Sequence, residues 1–270
     1  MSRTLALIQT GWETAVALAE GGRQADALAQ LDRLLARPDV PADVARAGHR
    51  LAGTAALDLG RFAAARRHLR VAAALDATDA RTCYLAGRAW EEDPDGCDRR
   101  AARRYRKAAL LDGTNPLYRA ASGRAAARCG KVRYGVREML TAADQAPGAI
   151  EVVRVAVSGL LETGKAGTAR RVLAKAQFLR PGCAELAALG ARTKFELARA
   201  TQRRAGAREN TRYAQDAQLA TDGDRVLLPF VRIATGTGAA REVPGGTVRA
   251  DSVSFPRPHL GRLRVGKADR

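Results

Sequence analysis

The chain is expected to be all-α, a solenoid of stacked helical hairpins closed by a C-terminal capping helix. Three observations carry that expectation. Glycines followed by a similar pattern recur at Gly22, Gly60, Gly96, Gly130 and Gly164, with spacings of 38, 36, 34 and 34 residues, and a period in this range is the mark of a repeat architecture. Apolar residues recur at three- and four-residue steps, as in the segments 69–75 and 172–179, which puts them on one stripe of a helix. The chain holds only five Phe, two Trp and five Tyr although 46% of it is apolar, so its core is built from Ala, Leu and Val. Such small side chains favour helices whose backbones come close together.

The elements follow in order from these positions. Five residues after each glycine stands a small residue: Ala27, Ala65, Ala101, Gly135 and Ala169. Four further on comes a larger one: Leu31, Leu69, Tyr105, Met139 and Leu173. Another apolar or small residue follows at Leu34, Ala72, Ala108, Ala142 and Ala176, and each unit breaks near Asp39, Ala77, Gly113, Pro147 and Pro181. Upstream of each glycine the first helix carries Ala15, Gly53, Gly87, Gly123 or Val157 at the matching position. The small residues let the two helices touch, and the glycines are read as ending the first helix, where a positive φ costs Gly least.

This pattern resembles the tetratricopeptide repeat family, whose signature is a small residue in a first helix, a Gly turn, an Ala and an aromatic in a second helix, then Pro. The resemblance covers residues 8–183 as five repeats, with an insertion at Glu91-Glu92-Asp93-Pro94-Asp95-Gly96 and about four extra residues around Pro41; the family's aromatic positions are mostly Leu, Val or Met here. It implies a right-handed superhelix with a groove lined by first-helix residues. Those residues are Arg50, Arg81, Tyr84, Arg88, Arg124, Arg128 and Arg154. A planar guanidinium suits a carboxylate, so an acidic peptide or the free C-terminus of a partner is one expected ligand, and solvated arginines are the other reading. Chaperone-binding members clamp a terminal carboxylate with Lys and Asn; the Asn positions here are Thr54, Arg88, Arg124 and Ser158, so that clamp is absent.

Residues 184–220, with Leu186, Leu189, Phe195 and Leu197 followed by a polar run, are expected to cap the last repeat, since terminal units need one polar face. Residues 221–270, with four prolines and two short apolar islands, are expected to form a flexible basic tail.

The formal net charge is +18, and 40 of the 46 cationic residues are Arg. Such a balance reflects either compositional bias or affinity for polyanions. The densest run, Arg99, Arg100, Arg103, Arg104, Arg106 and Lys107, falls on one second helix, with Arg99, Arg103 and Arg106 on one face. It reads as a solvated outer surface or as an anion- or RNA-facing patch. Tyr105 is needed by the core pattern, so it does not supply the exposed aromatic that single-strand binding uses.

Other motifs point away from chemistry. Gly159-Leu160-Leu161-Glu162-Thr163-Gly164-Lys165-Ala166 has the spacing of a phosphate-binding loop, but Ala166 stands where Ser or Thr would reach magnesium, and Gly164 is already a repeat turn. His49, His68 and His259 have no recurring nucleophile or carboxylate around them, and the first two read as surface or edge residues of their helices. Glu91-Glu92 reads as part of a solvated turn. The cysteines Cys83, Cys97, Cys129 and Cys183 lack metal-ligand spacing. No catalytic residue, metal site or cofactor is expected. No stretch approaches a membrane span and the first residues lack a signal-peptide core, so a cytoplasmic protein with no membrane partner is expected. The expected function is a non-enzymatic protein-interaction adaptor or scaffold, with RNA or DNA binding through the Arg-rich helix and tail as the alternative.

Overall fold

The computed structural model describes residues 3–220, so the expected tail, 221–270, lies outside the described residues. Eleven helices follow one another among them: α1 (Arg3–Glu20), α2 (Gln24–Leu35), α3 (Ala42–Asp58), α4 (Phe62–Leu75), α5 (Ala80–Glu91), α6 (Asp98–Leu111), α7 (Pro116–Arg128), α8 (Val132–Gln145), α9 (Ile150–Glu162), α10 (Ala166–Leu179) and α11 (Ala184–Ala220). There is no strand among the described residues. The chain divides into two units, Met1–Ala200 and Thr201–Arg270. In the second, residues 201–220 are helical.

In the first unit each helix packs on its neighbour, and α1 also meets α3, α3 meets α5 and α7 meets α9. The odd-numbered helices therefore share one face of an α-solenoid, and the breaks expected at Asp39, Ala77, Gly113, Pro147 and Pro181 all fall between hairpins. Asp79 and Asn115 cap α5 and α7 by accepting hydrogen bonds from backbone N–H groups of the first turn, which satisfies donors the helix leaves open.

Close helix contact is made where the sequence places a small residue. A Cβ on Gly53 would lie 2.6 Å from Leu69 Cγ, and one on Gly87 would lie 2.6 Å from the Tyr105 ring. In the α7–α8 hairpin both partners are glycine, and a Cβ on Gly123 would lie 2.8 Å from the Gly135 carbonyl oxygen. The fifth hairpin differs: Val157 is fully buried there, so a side chain fills the space that glycine leaves open elsewhere.

Several expectations need correction. Gly22, Gly60, Gly130 and Gly164 adopt positive φ, but Gly96 does not. In the third hairpin the insertion replaces the tight turn, and Gly96 is there because its α-carbon lies against the Trp90 and Asp93 carbonyl oxygens, leaving no room for a Cβ. The apolar stripe of α10 is narrower than its sequence: Leu173 and Ala176 are buried, whereas Phe178 is 85% exposed. On α11 Leu186 and Leu189 join the core formed with Leu173, but Phe195 is 66% exposed. Both phenylalanines lie off the inward face, and one helix turn cannot bury residues on two sides.

His68 is 4% exposed, not a surface residue. Its Nδ1 lies 3.1 Å from His49 Nδ1 and its Nε2 3.2 Å from the Asp32 carboxylate, and these partners make burial of a polar ring tolerable. Burial lowers the pKa of both imidazoles; the Asp32 charge acts in the opposite sense.

Candidate binding surfaces

The expected groove arginines sit on the odd helices, and most of them are engaged by the protein's own carboxylates. At the N-terminal end Arg50 Nη1 donates to Asp79 at 2.9 Å. Arg88 is held by Glu92 one turn later, with Nε 2.7 Å from the carboxylate. Arg154 lies 3.4 Å from Glu185 and 3.7 Å from Glu151. Tyr84 is half-buried between the rings of Tyr105 and Tyr118, at centroid distances of 5.5 and 5.2 Å, and burial raises its pKa. Arg81 is exposed and takes part in no ion pair among the described residues.

Arg124 and Arg128 form the densest knot. Arg124 Nη2 donates to Glu162 at 2.8 Å, and Arg128 donates to Glu162 through Nε at 2.8 Å and to Glu91 through Nη1 at 2.9 Å. The Tyr105 hydroxyl donates to the other Glu91 oxygen at 2.5 Å. Helices α5, α6, α7 and α9 are thereby tied together. Gly159 makes room for the Arg124 stem: a Cβ there would meet Arg124 Cγ at 3.0 Å and collide with Met139 Sδ. Burial alone would raise the Glu162 pKa, but hydrogen bonds from Arg128 and Arg124 outweigh it and hold the carboxyl below its usual range. Glu162 raises the Arg128 pKa in turn. Burial, reinforced by the Glu91 charge, drives the Tyr105 hydroxyl far above its ordinary pKa.

Glu91 is thus not part of a solvated turn. It is the last residue of α5, its side chain 14% exposed. A signal for this was present in the register: four residues after Ala15, Gly53, Gly123 and Val157 stand Ala19, Leu57, Ala127 and Leu161, whereas the residue four after Gly87 is Glu91. A carboxylate at an inward position requires partners, and Tyr105, the one hydroxyl-bearing residue at its own repeat position, supplies one.

On the same odd-helix face, at the N-terminal end, a pocket of about 260 Å³ is lined by residues of α1, α3 and α5 that include Trp12, Val16, Leu51, Thr54, Arg50 and Arg81. It pairs an apolar wall with a rim of mixed charge, in which the Arg81 and Arg50 guanidiniums stand with the Glu20 carboxylate.

The cationic run on α6 is split by the helix. Arg100 lies over the Trp90 ring at 4.6 Å, as does Arg66 at 4.4 Å, and Arg104 lines a small cleft toward α4. Arg99, Arg103 and Arg106 line a different depression, of about 650 Å³, between α6, α7 and α8. Lys107 is half-buried. None of Arg99, Arg103, Arg104, Arg106 and Lys107 has an ion-pair partner among the described residues.

The segment with phosphate-loop spacing is the end of α9, a turn and the start of α10. Gly159 lies inside a helix against Met139, and Gly164 makes the turn at φ 72°. It is therefore not the strand-to-helix loop that cradles phosphates.

Solved structures with this architecture are tetratricopeptide repeat proteins. TTC0263 of Thermus thermophilus matches 71% of this chain and 99% of its own with a TM-score of 0.53 and 16% identity. The fold is that of the tetratricopeptide repeat. A MamA crystal structure matches 63% of this chain and 90% of its own, with a TM-score of 0.50 and 17% identity. No protein-family model matches the sequence, and no curated protein does. Arg50, Arg81, Arg88, Arg124, Arg128 and Arg154 all fall on odd-numbered helices of this fold. Among the described residues no group of three or more His, Cys, Asp or Glu side chains is arranged to hold a metal ion, and no helix is long and apolar enough to cross a membrane.

Proposed function

We propose that the protein is a non-enzymatic adaptor that holds a partner protein segment on the face built by the odd helices. The observation that carries this reading is the pocket of about 260 Å³ between α1, α3 and α5, where Trp12, Val16 and Leu51 offer apolar surface beside the unpaired Arg81 guanidinium. A short segment with an apolar anchor and a carboxylate matches both features, because an apolar side chain gains by leaving water and a guanidinium prefers a carboxylate. The free thiols of Cys83, Cys97, Cys129 and Cys183 fit a reducing cytoplasmic setting.

The groove arginines divide in this reading. Arg81 receives the partner's carboxylate, and Arg50, already held by Asp79, lies beside it in the pocket. Arg88, Arg124, Arg128 and Arg154 are engaged by internal carboxylates, and Tyr84 by its aromatic neighbours, so these residues shape the face and would contact a partner only along their exposed edges.

The test is selection of peptides from a displayed library on the full-length protein, followed by affinity measurement with Arg81→Glu and Trp12→Ala. Selected sequences are expected to combine an acidic group with a bulky apolar residue, and each substitution is expected to weaken them about tenfold or more, the range of a hot-spot contact. Binders that ignore both substitutions would overturn the assignment.

A further inference from the structure

A second surface, on the other side of the hairpins, has a different chemistry. The depression between α6 and α8, floored by α7, is lined by Arg99, Arg103 and Arg106 from α6, Ser122 from α7, Lys131 from the following turn and Tyr134 from α8. Its four cations have no ion-pair partner among the described residues, and no carboxylate lines it. Tyr134 is 42% exposed, with the Arg137 guanidinium 5.5 Å from its ring centroid. Along α6 the three arginines span about 10 Å of helix axis.

We infer that this furrow is a binding site for single-stranded RNA. A row of unpaired cations tracks a phosphate backbone, and an exposed aromatic gives a base a surface to stack on; together they are the elements of sequence-tolerant single-strand binding. An acidic peptide would use the cations and leave Tyr134 without a role. Tyr134 supplies the exposed aromatic that Tyr105, buried against Gly87, does not. The site shares no residue with the Trp12–Arg81 pocket, so the two readings stand or fall separately.

The experiment is fluorescence anisotropy of a short labelled poly-uridine RNA with the full-length protein across a salt series. Replacing Arg99, Arg103 and Arg106 together by Gln is expected to weaken binding at least tenfold and to flatten the log–log salt slope by about 2, since each phosphate contact on a single strand contributes about 0.7. Tyr134→Ala is expected to cost about tenfold, the loss of one stacked base, while Tyr134→Phe retains affinity. Arg81→Glu, outside the furrow, is expected to leave RNA binding within about twofold, the size of a surface change away from the contact. An unchanged affinity and slope in the triple variant would overturn the proposal. So would Tyr134→Ala binding like the parent, or poly-glutamate competing as well as RNA, because either would reassign the furrow to polyanions in general.

Discussion

Two arginine-rich regions, built from the same residue type on the successive helices α6 and α7, have opposite electrostatic states. On α7 Arg124 and Arg128 reach across the odd-helix face and are consumed by Glu91 and Glu162. On α6 Arg99, Arg103 and Arg106 face outward and meet no carboxylate. Arginine density therefore does not identify a ligand site. What decides is whether acidic residues of neighbouring hairpins arrive at the same place. The partnered cluster fastens the repeats; the unpartnered one leaves attraction to be satisfied from outside the protein.

The contrast is broken most directly at Gly87. A Cβ there would lie 2.6 Å from the Tyr105 ring, and Tyr105 holds Glu91 in reach of Arg128. Gly87→Val is expected to force α5 and α6 apart and destabilise the unit by about 3 kcal/mol, an overpacking cost, seen as a lower urea midpoint. A midpoint within error of the parent would show that the cluster does not depend on this contact.

Next in size is Glu162→Gln, which leaves Arg124 and Arg128 to Glu91, with Asp98 3.9 Å from Arg128. The pair is partly screened, because the Glu162 side chain is 27% exposed, so the expected loss is about 2 kcal/mol, below that of a fully buried ion pair. The pH dependence gives the sign. The folded Glu162 pKa lies below its unfolded value, so its contribution is fully present above about pH 4.3 and is lost as pH falls through the lowered folded pKa. Stability of Glu162→Gln relative to the parent should therefore converge in acid and separate near neutrality. Parallel curves across that window would refute the linkage.

The smallest effect is expected on the unpartnered side. Arg103→Gln with Arg106→Gln removes charges with no internal partner and should move stability by less than about 0.5 kcal/mol, with any change toward greater stability from reduced like-charge repulsion. A loss as large as that of Glu162→Gln would erase the distinction between the two regions.

Much of the fold is legible in the sequence. The repeat period, the small residues facing larger ones and the breaks between hairpins are local, and Gly53 against Leu69 or Gly87 against Tyr105 is what that register requires. The exceptions were also local but ambiguous. Gly96 shares its place in the pattern with four turn glycines yet has no positive φ, because an insertion changed what its backbone must avoid. His68 reads as an edge residue until His49 and Asp32 are seen to enclose it.

The sequence by itself determined the helical hairpins and their order, since three- and four-residue periodicity and glycine punctuation act within a single unit. It also placed Arg50, Arg81, Arg88, Arg124, Arg128 and Arg154 on the first helices. Only the tertiary structure decided which arginines are neutralised and which are not. Glu91 and Glu162 lie 37 and 34 residues from Arg128, and Tyr134 and Arg99 come to line one depression only when α6 and α8 both pack on α7. Charge is a property of residues, whereas its compensation depends on distance, and distance between repeats is set by packing.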